Sequence, residues 1–361
     1  MKKYIPDLSE RTLMHLIKVH LWNIPAGTAL LETLDSSCWR KVYTQARQQG
    51  VLGITYSVIQ PLSDRLNLSR ETLLNWAAGA FCIREKNEEL RWVLSDICRQ
   101  CSIHKLSPVL LKGFSTAALY PKPELRESGD IDLWFPDRST EADEMFRNLG
   151  CKVDHSLPKH SVCRFKGVTV ENHHTLLGLF VPQNVSLEST LHDVWKKEGG
   201  LPLPVTDNVS ITHPGPDFSM LFNGRHICAH LCTGLFIRNL IDWAMLCKEY
   251  HGTCDKDLLL EKLEAAGLVP ALSMISCAAE KYIGMPEEYS FFDTSGYDGY
   301  AGRLMDMILH PVPKRVKGRG PLHYLTGRWK YYVHDYWVYH LVYGESFPRH
   351  LFNSVKAVLS R

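Results

Sequence analysis

The chain has 361 residues, enough for two or three domains with proper cores, and a composition (45% hydrophobic, 22% charged, no low-complexity tract) that excludes a disordered or fibrous protein. A net charge of +2 names no partner by itself, and no stretch reaches the roughly 18 apolar residues of a membrane span, so no membrane partner is expected. Eleven cysteines make an odd count without regular spacing, and the start, MKKYIPDLSERTL, lacks the apolar core of a signal peptide; free thiols in a reducing, cytoplasmic setting are expected.

Residues 9–22 (SERTLMHLIKVHLW) predict a helix capped by Ser9, with Leu13, Leu16, Ile17 and His20 on one stripe. A second helix is expected from Asp35-Ser36-Ser37 to near Gly50, and a third from Val51 to about Ile59, ended by Pro61. Ser69 opens a long helical pattern that runs to about Cys101. Residues 1–105 therefore read as an all-helical region.

At Ser107 the texture changes. Strands are expected at roughly 108–112, 129–135, 161–165 and 168–173, with a short helix after Gly113 and another over Thr140–Leu149, closed by Gly150. The tight Lys166-Gly167 turn makes the last two strands antiparallel neighbours, so the sheet is mixed. A Pro-rich passage, LPLPVTDNVSITHPGPDF, is read as a separator, with a domain boundary near 213. Residues 106–213 form the central α+β domain on this reading, and 214–361 a C-terminal helical region. That last region carries a basic loop, PVPKRVKGRG, before an aromatic-rich helix. No internal repeat is visible.

The chemistry-bearing stretch is PVLLKGFSTAALYPKPELRESGDIDLWF, residues 108–135. Side chains alternate across a strand, so Asp130 and Asp132 share one face while Ile131 points to the other. Two adjacent carboxylates repel unless a cation lies between them. The Lys112-Gly113 turn opens a helix whose free backbone N–H groups suit phosphate. Glu171, near the end of the alternating run Val168-Thr169-Val170-Glu171, offers a third carboxylate on a neighbouring strand. All-oxygen donors of this kind suit Mg²⁺ or Mn²⁺.

Leu111-Lys112-Gly113, Leu119-Tyr120-Pro121, Arg126 and Asp130-Ile131-Asp132-Leu133 resemble the polymerase-beta-type nucleotidyltransferase superfamily, and more closely its uncharacterised bacterial branch with "KG … LYP … R … DIDL" at the site. Glu171-Asn172-His173, His230 and Arg238-Asn239-Leu240-Ile241-Asp242 are similar to further motifs of that branch, so the resemblance spans about Val109–Leu246. It implies a mixed-sheet nucleotidyltransferase core and transfer of NMP from an NTP to an acceptor hydroxyl, with release of pyrophosphate. Asp130, Asp132 and Glu171 would be the catalytic acids and the ligands of two Mg²⁺ (or Mn²⁺) ions. Lys112, Gly113, Ser115 and Arg126 would bind the nucleotide. This chain departs from the wider superfamily in having Phe114 after the cradle glycine, where a small residue is usual. A bulky ring narrows the approach to phosphate unless it turns back into the core.

Plainer readings stand beside these. Lys112 could be a lysine snorkelling at a strand end, and Arg126 could pair with Glu124 or Glu127. His226 and His230 share a helix face with Cys228 and Cys232 on another, which favours a packed helix with polar tips over a zinc site. Cys98 and Cys101 form a lone CxxC without a partner pair. Asp242 is expected to pair with Arg238 at helical spacing. Lys314, Arg315, Lys317 and Arg319, with Arg328 and Lys330 among aromatic residues, could hold RNA, though a solvated loop explains them and nucleic acid is not the favoured partner. The acceptor stays open among a small molecule, a protein side chain and an RNA end. The rival expectations are a nucleotide-binding protein of the same fold without turnover, and a toxin-like modifier of tRNA or protein.

Overall fold

A computed structural model describes residues 4–179, 182–311 and 336–344, together with 346, 348, 349 and 352. The first helix, α1 (Leu8–Trp22), is capped by Asp7 rather than Ser9: the Asp7 carboxylate accepts from the Glu10 N–H (2.9 Å), and Glu10 accepts in return from the Asp7 N–H (2.8 Å). Helices α2 (Thr28–Glu32), α3 (Ser36–Gln48), α4 (Leu52–Ile59) and α5 (Arg70–Ile103) follow, with Asp35 and Ser69 capping α3 and α5 as the sequence predicts.

Strand β1 (Val109–Leu110), the one-turn helix α6 (Phe114–Ala117), strand β2 (Ile131–Trp134) and helix α7 (Ser139–Asn148) come next. The hairpin β3 (His160–Phe165) and β4 (Val168–His173) is antiparallel, as expected, and both of its turn residues, Lys166 and Gly167, have positive φ (48° and 86°). Helix α8 (Pro182–Glu198) then leads to β5 (Gly200–Thr206) and β6 (Val209–Pro214). The six strands lie in the order β3-β4-β2-β1-β6-β5, with β2 parallel to β4, β1 parallel to β6, and β1 antiparallel to β2.

The Pro-rich passage is therefore part of the sheet rather than a separator. Pro202 and Pro204 lie on β5, which stands at the sheet's edge, where a missing N–H breaks no ladder bond on the open side. Helices α9 (Pro216–Thr233), α10 (Ile237–Tyr250), α11 (Lys256–Ala265), α12 (Val269–Ala278) and α13 (Asp298–Leu309) follow, and residues 336–343, within the expected aromatic-rich helix, are helical as well. The fold is α+β: a mixed sheet flanked by N-terminal and C-terminal helices. The basic stretch, Lys314 to Lys330, lies outside the described residues. Among the described residues no helix is long and apolar enough to cross a membrane.

Two apolar cores divide the sheet's faces. Leu110, Ile131, Leu133, Val168 and Val170 pack on α5 and α7. Val109, Leu111 and Trp134 face the other way, into a core shared by both helical flanks, where Leu13 and Ile17 of α1 join Trp243, Leu272 and Met305. Each such buried side chain contributes about 1.5–3 kcal/mol relative to exposure. The flanks are also tied directly: the Trp22 Nε1–H donates to the Ile283 carbonyl (2.7 Å) and the Gln49 amide to the Ile308 carbonyl (2.9 Å). The C-terminal helices are thus held over the face of the sheet that carries the acids.

Candidate functional site

Strand alternation and register together build an acidic cluster. Asp132 on β2 stands opposite Glu171 on β4 in the parallel ladder, and Asp130 precedes it by two residues on the same face. One carboxylate oxygen from each of Asp130, Asp132 and Glu171 lies within 4.8 Å of the others. The sequence expectation that these three acids converge is met in their placement. Lys112, at the end of β1, brings Nζ to 2.5 Å from Asp132 Oδ2. The three carboxylates outnumber the cations about them, Lys112 in contact with Asp132 and Lys159 acting on Asp132 and Glu171 from further off.

The electrostatics separate the two aspartates. Burial would raise the Asp132 pKa, but Lys112 and a hydrogen bond from His173 (Nε2 to Oδ1, 3.1 Å) outweigh it and hold the carboxyl well below the usual range. Burial, and then the neighbouring Asp132 charge, push Asp130 up. A group raised by a like charge is one that a divalent cation would stabilise in its ionised form. The donor set, three carboxylates around a shared centre, fits Mg²⁺ or Mn²⁺.

The glycine turn faces this cluster. Gly113 has φ 76° and ψ −95°, a conformation that L side chains rarely adopt, and its carbonyl accepts the first bond of α6 from the Ala117 N–H (2.9 Å). The amides of residues 114–116 precede that bond and so have no partner within the helix. One turn is too short for much of a macrodipole, so the cradle's offer to phosphate is those amides. Phe114 turns away from the cleft: its ring packs against the α5–α7 side of the sheet, with the Arg91 guanidinium 5.8 Å from its centroid. Ser115, expected at the phosphates, is not among the cleft-lining residues, whereas Thr116 is.

The opposite wall comes from α9 and α10 and closes a cleft of about 420 Å³. Arg126 lines it but is committed to Asp242, through Nε to Oδ1 and Nη2 to Oδ2, both 2.7 Å. Tyr120 donates its hydroxyl to the same carboxylate (2.6 Å). The expected helical pair Arg238–Asp242 is thus replaced by a long-range one, and Arg126 pairs with neither Glu124 nor Glu127 side chain. Burial opposes ionisation of Asp242, yet Arg126 more than compensates and holds the carboxyl low. Arg238 donates Nη1 to the Glu127 carbonyl (2.8 Å), while its buried Nε finds no acceptor.

His226 and His230, the polar tips of a helix otherwise packed as expected, line the cleft with their Nε2 atoms 2.9 Å apart, and no candidate metal group among the described residues includes them. Burial, followed by the Lys112 charge, lowers both pKa values, so one neutral ring donates to the other. Their i, i+4 spacing was the available signal. What the spacing lacked was the direction in which α9 presents them. Thr116 and Asn223 carried no such signal and are placed in the cleft only by the tertiary packing, where Asn239 of the Arg238–Asp242 motif joins them.

A family model described as an uncharacterised nucleotidyltransferase matches residues 35–284. The match takes in the acidic cluster, the glycine turn and both walls of the cleft, and the chain belongs to that nucleotidyltransferase family. No curated protein and no solved structure matches the chain.

Proposed function

From that membership, we propose that the chain is a divalent-metal-dependent nucleotidyltransferase that moves NMP from an NTP, ATP among the candidates, to an acceptor hydroxyl and releases pyrophosphate. The observation that carries the reading is the pairing of Asp132 with Glu171 across adjacent parallel strands, with Asp130 beside them and the Gly113 turn opposite. Asp130, Asp132 and Glu171 would hold two Mg²⁺ or Mn²⁺ ions. Such ions supply positive charge to the reacting phosphoryl oxygens.

The chain's own groups do the rest. The amides after Gly113, together with Thr116 in place of the expected Ser115, hold the terminal phosphates. Lys112 and Arg238 offset the charge that grows on pyrophosphate as the bond between α-phosphorus and the bridging oxygen breaks. Glu171 takes the proton of the acceptor hydroxyl as its oxygen bonds to the α-phosphorus. Arg126, assigned to the nucleotide by sequence, reaches it from a guanidinium already fixed by Asp242, and so acts as much on the wall as on the phosphate. A cleft of about 420 Å³ is within the range of small-ligand sites. It leaves the acceptor open among a small molecule (aminoglycoside- or sugar-like), a protein side chain and an RNA end.

The reading without turnover rested on Phe114 crowding the phosphate, and the ring points away from the cleft. Calorimetric titration of the full chain with ATP or GTP in Mg²⁺ is the test. Wild type should bind, Asp130→Asn and Asp132→Asn should each lose Mg²⁺-dependent binding and turnover, and both should keep the wild-type far-UV spectrum. Retained turnover in either variant contradicts the assignment.

A further inference from the structure

At the end of β4 the chain passes from one polar cluster to another on the reverse of the sheet. His173 faces the acids of the cleft, whereas Asn172 points to the α7 side and the next residue, His174, follows it there. His174 Nε2 lies 3.0 Å from Asp143 Oδ2 on α7. His155, from the segment before β3, places Nε2 3.6 Å from the same oxygen, and the two imidazole centroids are 5.6 Å apart. One ligating atom from each of the three lies within 4.8 Å of the others.

Asp143 is only 1% exposed, and its ion-pair partners among the described residues are those two histidines. Its orientation is fixed: Oδ1 accepts from Asn172 Nδ2 (2.7 Å) and from the Ser161 hydroxyl. That leaves Oδ2 to face the histidines. Supporting bonds of this kind are what aligns a metal-binding carboxylate. The side chains of His155 and His174 are 46% and 29% exposed, so a fourth position opens to solvent. Arg147 Nη2, on an exposed side chain, donates to His155 Nε2 (2.6 Å) and would have to swing out as an ion enters.

We propose that Asp143, His155 and His174 form a second metal site, for a transition-metal dication of the Zn²⁺ class. Two nitrogen donors and one carboxylate select such an ion over Mg²⁺; on the other face Glu171 is shared between the three carboxylates and a group with His160 and His173, which is why the test below replaces it. The ion would tie α7, the segment before β3 and the exit of β4 together, behind the strand that carries Glu171. The site owes nothing to nucleotidyl transfer and stands whether or not that activity is found.

The test uses the full chain carrying Asp130→Asn and Glu171→Gln, which weakens the cleft's own hold on cations. After stripping with a chelator it is titrated with Co²⁺ and with Zn²⁺, read by calorimetry, by Co²⁺ visible absorption and by the shift in Tm. One Zn²⁺ per chain with a raised Tm is expected, lost when either His155→Ala or His174→Ala is added. Asn172→Ala should weaken binding about 10-fold, as removal of a supporting bond does. His155 is half-exposed, so His155→Ala gives a folded chain even if His174→Ala does not. Absence of stoichiometric Zn²⁺ uptake overturns the proposal. So does uptake that survives His155→Ala, because the ion would then be held elsewhere, for instance by His226 and His230 or by the cysteines.

Discussion

The Arg126–Asp242 pair joins the loop before the acids to the helix that forms the far wall, and its removal can be worked through. Arg126 is 7% exposed, with two of its nitrogens 2.7 Å from Asp242 oxygens, and Tyr120 shares the carboxylate. Asp242→Ala leaves a buried guanidinium without its counter-charge and a hydroxyl without its acceptor. Breaking one side of such a pair costs about 3–5 kcal/mol. Arg126→Ala strands the carboxylate instead, with a loss of similar size. Replacing both by alanine leaves no unpaired charge, so the double variant should lose at least about 2 kcal/mol less than the two single losses added together. Urea denaturation of the four proteins at pH 7 gives the cycle, and nucleotide titration of the same samples should show weaker binding in both single variants as the wall loosens. Single losses under about 1 kcal/mol, or a double equal to the sum, would refute the pair as a structural tie.

Gly113→Ala puts an L side chain at φ 76°, with only an ordinary contact to the Asp130 carbonyl (3.5 Å), so the penalty is conformational. A loss of about 1–3 kcal/mol is expected, with nucleotide affinity reduced at least tenfold as the amides turn; calorimetry showing unchanged affinity would remove the turn from the site. Phe114→Ser should lower stability by about 1–2 kcal/mol and leave nucleotide affinity within about twofold, because the ring packs away from the cleft; improved affinity would mean that it obstructs phosphate. His20 is buried beside Ser57, and burial brings its pKa down from 6.5 to about 4. The unfolded chain therefore binds the proton more readily, and stability should fall as pH drops from about 6.5 towards 4, by up to about 3 kcal/mol. Denaturation at pH 7.5 and 4.5 should show that slope reduced in His20→Leu; an identical slope in both proteins would contradict the assignment.

The acids were legible because one rule, the alternation of side chains along a strand, placed Asp130 with Asp132 and Glu171 with its neighbours on one face. The hairpin and the caps at Asp35 and Ser69 were legible for the same local reason. Three features resisted. Pro202 and Pro204 argue against a strand unless it is known to be an edge, and edge position is a property of the whole sheet. Asp242 has a local candidate partner four residues away in Arg238, yet it pairs with Arg126, 116 residues away in sequence. Ser115 and Thr116 are adjacent on a single helical turn, and which of them meets the cleft depends on how α6 is rotated.

The most direct measurement incubates the full chain with each α-labelled NTP, Mg²⁺ or Mn²⁺ and a cell extract, and follows both pyrophosphate and the label. The account predicts pyrophosphate release together with label on a discrete acceptor, both lost in Asp132→Asn and in Glu171→Gln. Label transfer that persists in those variants, or its absence with every nucleotide and both metals, would contradict it.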